Sequence, residues 1–209
     1  MKKILTIILI SINCLSCQNI MFIMAGYLPL KIRSDKEIKK FAEKNIYFKG
    51  YQLIQSDSYF TYLDDKDSEM HAADSNTADS FKIFLQPLKV LYYDENNKLV
   101  SVLTNCYAIP EGGQFNWNTE NRLDKYPPVT HTPVFKQIPI TEILKQTNLD
   151  VNTVDLKKKR SRVVISWNIF LNKESKHFLK CIQENLFKAN DMPEVFYINN
   201  DNSLYVNSR

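Results

Sequence analysis

The 209-residue chain has 4 glycines, 3 histidines and no large surplus of either charge, and each shortage closes a class of function. His71, His131 and His177 never come to the His-x-x-x-His spacing that sets two ligands on one helix face, so no metal centre is expected. Gly112-Gly113 is followed by no helix start bearing Lys-Ser or Lys-Thr, which makes it a turn rather than a phosphate loop. A Gly-x-Ser-x-Gly nucleophile elbow is absent. Neither a catalytic residue nor a cofactor therefore follows from the sequence. Lys and Arg number 27 against 23 Asp and Glu, a formal charge of +4, and loss of the first sixteen residues would remove Lys2 and Lys3 and leave +2. So slight a balance gives no footprint for nucleic acid. The apolar run at the start, Ile4 to Ile10 apart from Thr6, is too short to span a bilayer. What remains is the makeup of a globular protein: 44% hydrophobic and 12% aromatic residues, enough for one domain or two small ones.

The N-terminus is ordered like a secretory signal: Lys2 and Lys3, then the apolar run, then Ser11 to Ser16. Its end, Leu15-Ser16-Cys17, resembles a bacterial lipobox, although Cys14 stands where that pattern usually has Leu. The resemblance implies cleavage before Cys17, lipid on Cys17 and attachment to a membrane. Gln18, Asn19 and Ile20 carry no acidic run of the kind that resembles a surface-export tag, so the expected address is the outer membrane, facing the periplasm. Two alternatives stay open. Residues 4–30 hold no charge and could form one uncleaved anchor, but Asn13, Ser16, Gln18 and Asn19 would then lie at mid-bilayer at a cost. An ordinary cleaved signal without lipid is the other. Export would also permit Cys106 and Cys181 to pair in an oxidising compartment; two buried, unpaired thiols are the alternative.

Five regions follow. Residues 1–16 read as the signal, and 17–33 as the lipidated N-terminus and a tether across the body. Residues 34–146 read as an α+β region. Within it, Ser34 and Glu37 form a capping box ahead of a helix over 35–44. Residues 46–63 read as one or two strands, and the polar stretch 64–80, with Asp64, Asp65, Asp67 and Glu69, as a solvated loop lacking the Gly of a calcium loop. Residues 89–93 and 99–103 flank a polar five-residue turn and predict a hairpin, whose second strand should run on through Cys106 to Ala108. A long Pro- and Gly-containing connection follows, with a helix over 141–146. Residues 147–162, with Lys157, Lys158, Lys159, Arg160 and Arg162, read as an exposed basic linker. In 163–209, the apolar run 163–170, a helix capped by Asn172 and running to about 188, and the strand 194–199 closed by Asn200-Asp201-Asn202 form a βαβ unit. The fold class is α+β or α/β: an N-terminal β-rich segment with a C-terminal βαβ unit.

That unit, with VVISW at 163–167 leading into a helix over 173–188, resembles the opening of a thioredoxin-like domain. The resemblance places the redox dithiol at Leu171 to Glu174, where no cysteine stands, and Cys181 lies more than two turns further along the helix. Dithiol chemistry needs a low-pKa thiolate at the helix start, so the usual activity of that family is not implied. Asn105-Cys106-Tyr107-Ala108, Asn116-Trp117-Asn118 and Tyr126-Pro127-Pro128 ahead of the βαβ unit are similar to thioredoxin-like lipoproteins of Gram-negative bacteria, to which no reaction is attached. Trp117 and Trp167 are the candidate binding residues: either could stack on a ligand, and either could serve the core. Trp167 should share a strand face with Val163 and Ile165. The leading expectation is a non-catalytic binding or interaction protein, tethered through its lipid, with a protein partner in the cell envelope. A redox protein using Cys106 and Cys181, and a secreted enzyme whose site has no recognisable motif, are the alternatives.

Overall fold

The computed structural model describes residues 26–73, 83–111, 114–129 and 138–209. The signal, Cys17, residues 18–25 of the tether, Gly112-Gly113 and His131 lie outside them.

Helix α1, Asp35–Asn45, begins at the capping box read from the sequence: Ser34 Oγ accepts from the Glu37 N–H at 3.3 Å, and Glu37 Oε2 accepts from the Ser34 N–H at 2.9 Å. These bonds and Lys31 hold the Glu37 carboxyl at about 2, below the ordinary carboxylate range. Gly50 then lets the chain pass close to its neighbour, since a Cβ there would stand 2.6 Å from the Val195 carbonyl oxygen. Strand β1 is short, Tyr51–Ile54.

The expected second strand and the first part of the expected loop are instead one helix, α2, Tyr59–Ala73, and residues 74–80 of that loop lie outside the described residues. Its first turns bury Tyr59 and Leu63, one turn apart, whereas the part beyond Asp64 is polar. The change in composition that suggested a boundary falls inside a single helix. Residues 83–85 are helical as well.

The hairpin forms as read, from β2, Lys89–Tyr93, and β3, Leu99–Thr104. Strand β3 does not carry Cys106 onward, because Asn105–Tyr107 turn into a 3-10 helix. Asn105 explains the stop: its N–H donates to the Leu88 carbonyl, and its side chain accepts from the Leu88 N–H. In the long connection, β4, Ile109–Glu111, and β5, Gln114–Asn116, pair as a small second hairpin. Helix α3 spans Ile140–Lys145.

The βαβ unit is present as β6, Arg162–Trp167, α4, Asn172–Leu186, and β7, Glu194–Asn199, with the two strands parallel. Two details differ from the reading. Leu171 holds the cap position of α4 without a side-chain cap, and Asn168 serves in its place, its Oδ1 accepting from the Leu171 N–H at 2.8 Å. Asn200-Asp201-Asn202 does not simply close the strand but opens a last helix, α5, Asp201–Asn207.

Five strands make one mixed sheet in the order β1-β7-β6-β2-β3, with β1, β7 and β6 parallel and the hairpin antiparallel. The protein therefore has the α+β or α/β class, but residues 34–88 are mainly helical rather than β-rich. Apolar residues sit on both faces of the central strands, as full burial requires. Val163, Ile165 and Trp167 join Val195 and Tyr197 under α1 and α4, while Val164, Phe196 and Ile198 join Tyr59 and Leu63 of α2.

Residues 147–162 are not an exposed linker. Thr147 bridges to Gln55, Val154 is buried, and Arg162 belongs to β6 with its guanidinium fully enclosed. That guanidinium donates to Glu194 Oε2 at 3.0 Å, to Asn97 Oδ1 at 2.7 Å and to the carbonyls of Asp155 and Lys158 at 3.0 and 2.9 Å. Lys157, Lys158 and Lys159 alone keep the exposed character read for the run.

Candidate functional site

The loop after β6 is where the thioredoxin-like resemblance places chemistry, and here it is closed by a carboxylate. Asp201 is fully buried and accepts from the N–H of Ile169 at 2.6 Å, the N–H of Phe170 at 3.0 Å and Asn199 Nδ2 at 2.8 Å. Burial raises its pKa, opposed by those hydrogen bonds and by Arg33. Around it, Asn168 Nδ2 donates to Asn200 Oδ1, and Asn200 Nδ2 to the Pro87 carbonyl, at 3.1 and 2.8 Å. The segment entering α1 lies over the same end: Leu28 N–H donates to the Phe170 carbonyl at 2.8 Å, and Arg33 N–H to Asn202 Oδ1 at 2.7 Å. The loop is pinned from two sides and presents no nucleophile.

The cysteines do not form a bonded pair. Cys106 is an exposed free thiol in the turn after β3, and Cys181 a half-buried free thiol on α4. Burial, helped by Glu184, pushes the Cys181 thiol up to about 11, so it is protonated at neutral pH. Trp117 is enclosed rather than available for stacking, 3% exposed, with its ring 4.5 Å from that of Phe178. His177 is half-buried, and its Nδ1 is buried with no partner among the described residues. Asp64, Asp65 and Asp67 lie on α2, not on a loop. Among the described residues no cluster of three or more His, Cys, Asp or Glu could hold a metal ion, and no helix is long and apolar enough to cross a membrane.

Trp167 is the sequence-selected residue that does border a cavity. It is 1% exposed, shares its face with Val163 and Ile165, and stacks on Phe41 of α1 with ring centres 5.2 Å apart. Gln183 of α4 pins the far end of α1, accepting from the N–H groups of Tyr47 and Phe48 at 2.7 and 2.9 Å and donating to the Asn45 carbonyl at 2.9 Å. Held in this way, α1 does not close against β1. A groove of about 470 Å³ remains between them, walled by Ile38 and Ala42 of α1, Ile46 just after it, Gln52 and Ile54 of β1, and Trp167. The indole N–H of Trp167 is buried and has no acceptor among the described residues. An unmade hydrogen bond of that kind costs ~1–3 kcal/mol and is uncommon in folded chains.

One strongly shifted base lies elsewhere. Lys89, 2% exposed, packs beside the Tyr59 ring on the α2 face of the sheet, opposite the groove. Sequence reading passed over Lys89, Asp201 and the groove. Four polar residues in a row, Asn199 to Asn202, directly after an apolar strand were the one signal that could have marked Asp201. Comparison of the chain with protein-family models, curated proteins and solved structures gives no match.

Proposed function

We propose that this chain is an exported lipoprotein, tethered by lipid on Cys17 at the periplasmic side of the outer membrane, and that it acts there as a non-catalytic binding protein through the groove between α1 and β1. The tether rests on Lys2-Lys3, the apolar run and Leu15-Ser16-Cys17. The binding role is supported by one observation above others: an apolar groove beside a buried tryptophan whose indole N–H has no partner among the described residues. Ligand sites are typically apolar concavities with a few fixed polar groups, and this groove has that makeup. A thiol–disulfide function through Cys106 and Cys181 ranks lower, because the raised Cys181 pKa leaves little thiolate to react.

Two experiments test the two halves. Cys17→Ala should abolish fatty-acid labelling and release the protein from the membrane fraction; labelling that persists in this variant refutes the anchor. For the groove, the indole N–H signal of Trp167 is followed by NMR while decanoate, a simple apolar probe with one acceptor end, is added. A saturable shift that is lost in Ala42→Leu, which fills the groove, supports the site, and a shift that persists unchanged in that variant refutes it.

A further inference from the structure

We infer that the groove is one wall of a strand-addition site, and that its ligand is an extended peptide which pairs with the free edge of β1 and places an apolar side chain beside Trp167. The inference rests on the proposed binding role and names the ligand class.

Strand β1 is an edge of the sheet. Hydrogen-bonding direction alternates along a strand, so the direction at two positions fixes the rest. The Gln55 N–H donates to the Asn199 carbonyl at 2.9 Å, which turns Gln55, Leu53 and Tyr51 toward β7. The Ile54 N–H donates to Asn148 Oδ1 at 2.9 Å, and the Ile54 carbonyl accepts from the Asn148 N–H at 3.0 Å, so Ile54 and Gln52 face outward. Ile54 is thus already covered by Asn148, and Gln55 is bridged antiparallel by Thr147. Gln52 is exposed, and among the described residues its backbone N–H and C=O have no ladder partner on that side.

The same residue lines the groove. Side chains at directly paired positions project to the same face of a sheet. A residue set antiparallel opposite Gln52 would continue the short ladder begun by Thr147 and Asn148. Its side chain would fall on the face of Gln52 and Ile54, over Ile38, Ala42 and Trp167. One ligand residue would thereby use the outward donor and acceptor of Gln52 and the apolar space beside the Trp167 ring. A fatty chain would fill the space but leave the edge of Gln52 unused, which is why the peptide is favoured. The rim carries Asp35, Glu43 and Lys39, a net negative border that suits a peptide with basic flanks.

The test uses the peptide formyl-Ile-Thr-Lys-Thr-Lys-amide, whose single large apolar residue fixes the register and whose chain runs from Gln52 away from Asn148, which already holds the place beside Ile54. Titrated into the full-length protein, it should shift the Trp167 indole signal to saturation. N-methylation of the Ile nitrogen should weaken binding at least tenfold, and N-methylation of the following Thr nitrogen should leave it within twofold. Gln52→Pro removes the outward N–H, a change that edge strands accept, and should weaken the peptide at least tenfold with its thermal midpoint held, whereas Gln52→Ala, which changes the side chain and keeps the N–H, should leave binding within about twofold. Equal binding of the two N-methylated peptides would overturn strand addition. Binding of decanoate with none of the peptide would overturn the peptide and leave the groove standing. No response to either probe would overturn both readings.

Discussion

Lys89 offers the sharpest physical test of the fold. It opens β2, opposite Ser166 of β6 and Thr104 of β3, and its alternation with Leu91 and Tyr93 drives the side chain into the α2 face of the core. Its Nζ donates to the Gln86 carbonyl at 3.0 Å and stands 5.0 Å from the centre of the Tyr59 ring. Burial lowers its pKa from 10.5 to about 7. At ~1.4 kcal/mol per pH unit, that displacement corresponds to about 5 kcal/mol of lost preference for the proton. Above pH 10.5 the amine is neutral in folded and unfolded chains, and the site costs nothing. As pH falls from 10.5 to about 7 the unfolded chain takes up a proton that the folded one does not, and stability drops. Below about 7 both are charged, and the penalty levels off. Lys89→Met keeps the length of the side chain and removes the amine. It also removes the bond to Gln86, worth ~1 kcal/mol. Urea unfolding should find the variant more stable than the parent by about 3–4 kcal/mol at pH 6.5, with the difference shrinking to within about 1 kcal/mol at pH 9.5. Every other titrating group cancels between the two proteins. A difference that does not change across this range, or a variant less stable throughout, would refute the burial of a displaced amine at this position.

Trp167→Ala should cost ~3–5 kcal/mol in urea unfolding, since the ring is enclosed and stacked on Phe41; an unchanged midpoint would remove it from the core. Arg162→Leu strips Glu194 of its buried partner and frees the carbonyls of Asp155 and Lys158, and should lower stability by about 3–5 kcal/mol, with faster proteolysis between residues 155 and 160. In Asp201→Ala the N–H groups of Ile169 and Phe170 lose their acceptor at ~1–3 kcal/mol each, so their hydrogen exchange should accelerate ahead of that of β7; equal acceleration everywhere would mean that the carboxylate does not hold the loop locally. With iodoacetamide at pH 8, Cys106 should be alkylated well before Cys181, and the reverse order would reopen the redox reading.

The parts of the fold that were legible in the sequence are those in which one residue pattern serves one element. Lys89–Tyr93 and Leu99–Thr104 around a polar turn could hardly be other than a hairpin, and an unbroken apolar run such as Val163 to Trp167 announces a strand covered on both faces. Helix α2 was missed because the apolar Tyr59 and Leu63 stand in its first turns and an acidic run follows them, so its pattern changes midway while its backbone does not. Arg162 looked like the end of a solvated charge run, since no local feature says that Glu194, thirty-two residues on, will meet it. Asp201 is of the same kind: its three donors come from two segments that the fold alone brings together. The face on which Trp167 lies was readable from alternation. The groove beside it was not, because the groove is a distance between α1 and β1 set by Gln183 on a third element.

The buried polar groups can be sorted by whether the chain itself answers them. Arg162 and Asp201 are answered in full, each by several partners, and their natural reading is structural. Lys89 is answered in another way, by a carbonyl, an aromatic face and the option of shedding its proton. The indole of Trp167 has no such option, because it is a donor only and does not titrate. Trp117 shares the lack of an acceptor but is shut between Phe115 and Phe178, where it can be read as a plain cost to stability. Trp167 differs from it in bordering open space, next to the one outward-facing backbone position of β1 that no described residue covers. An apolar cavity and an uncovered strand edge would have to arise side by side independently if neither had a ligand. A single extended occupant accounts for the two together, and that economy, rather than the size of the groove, is the ground for placing recognition at this edge.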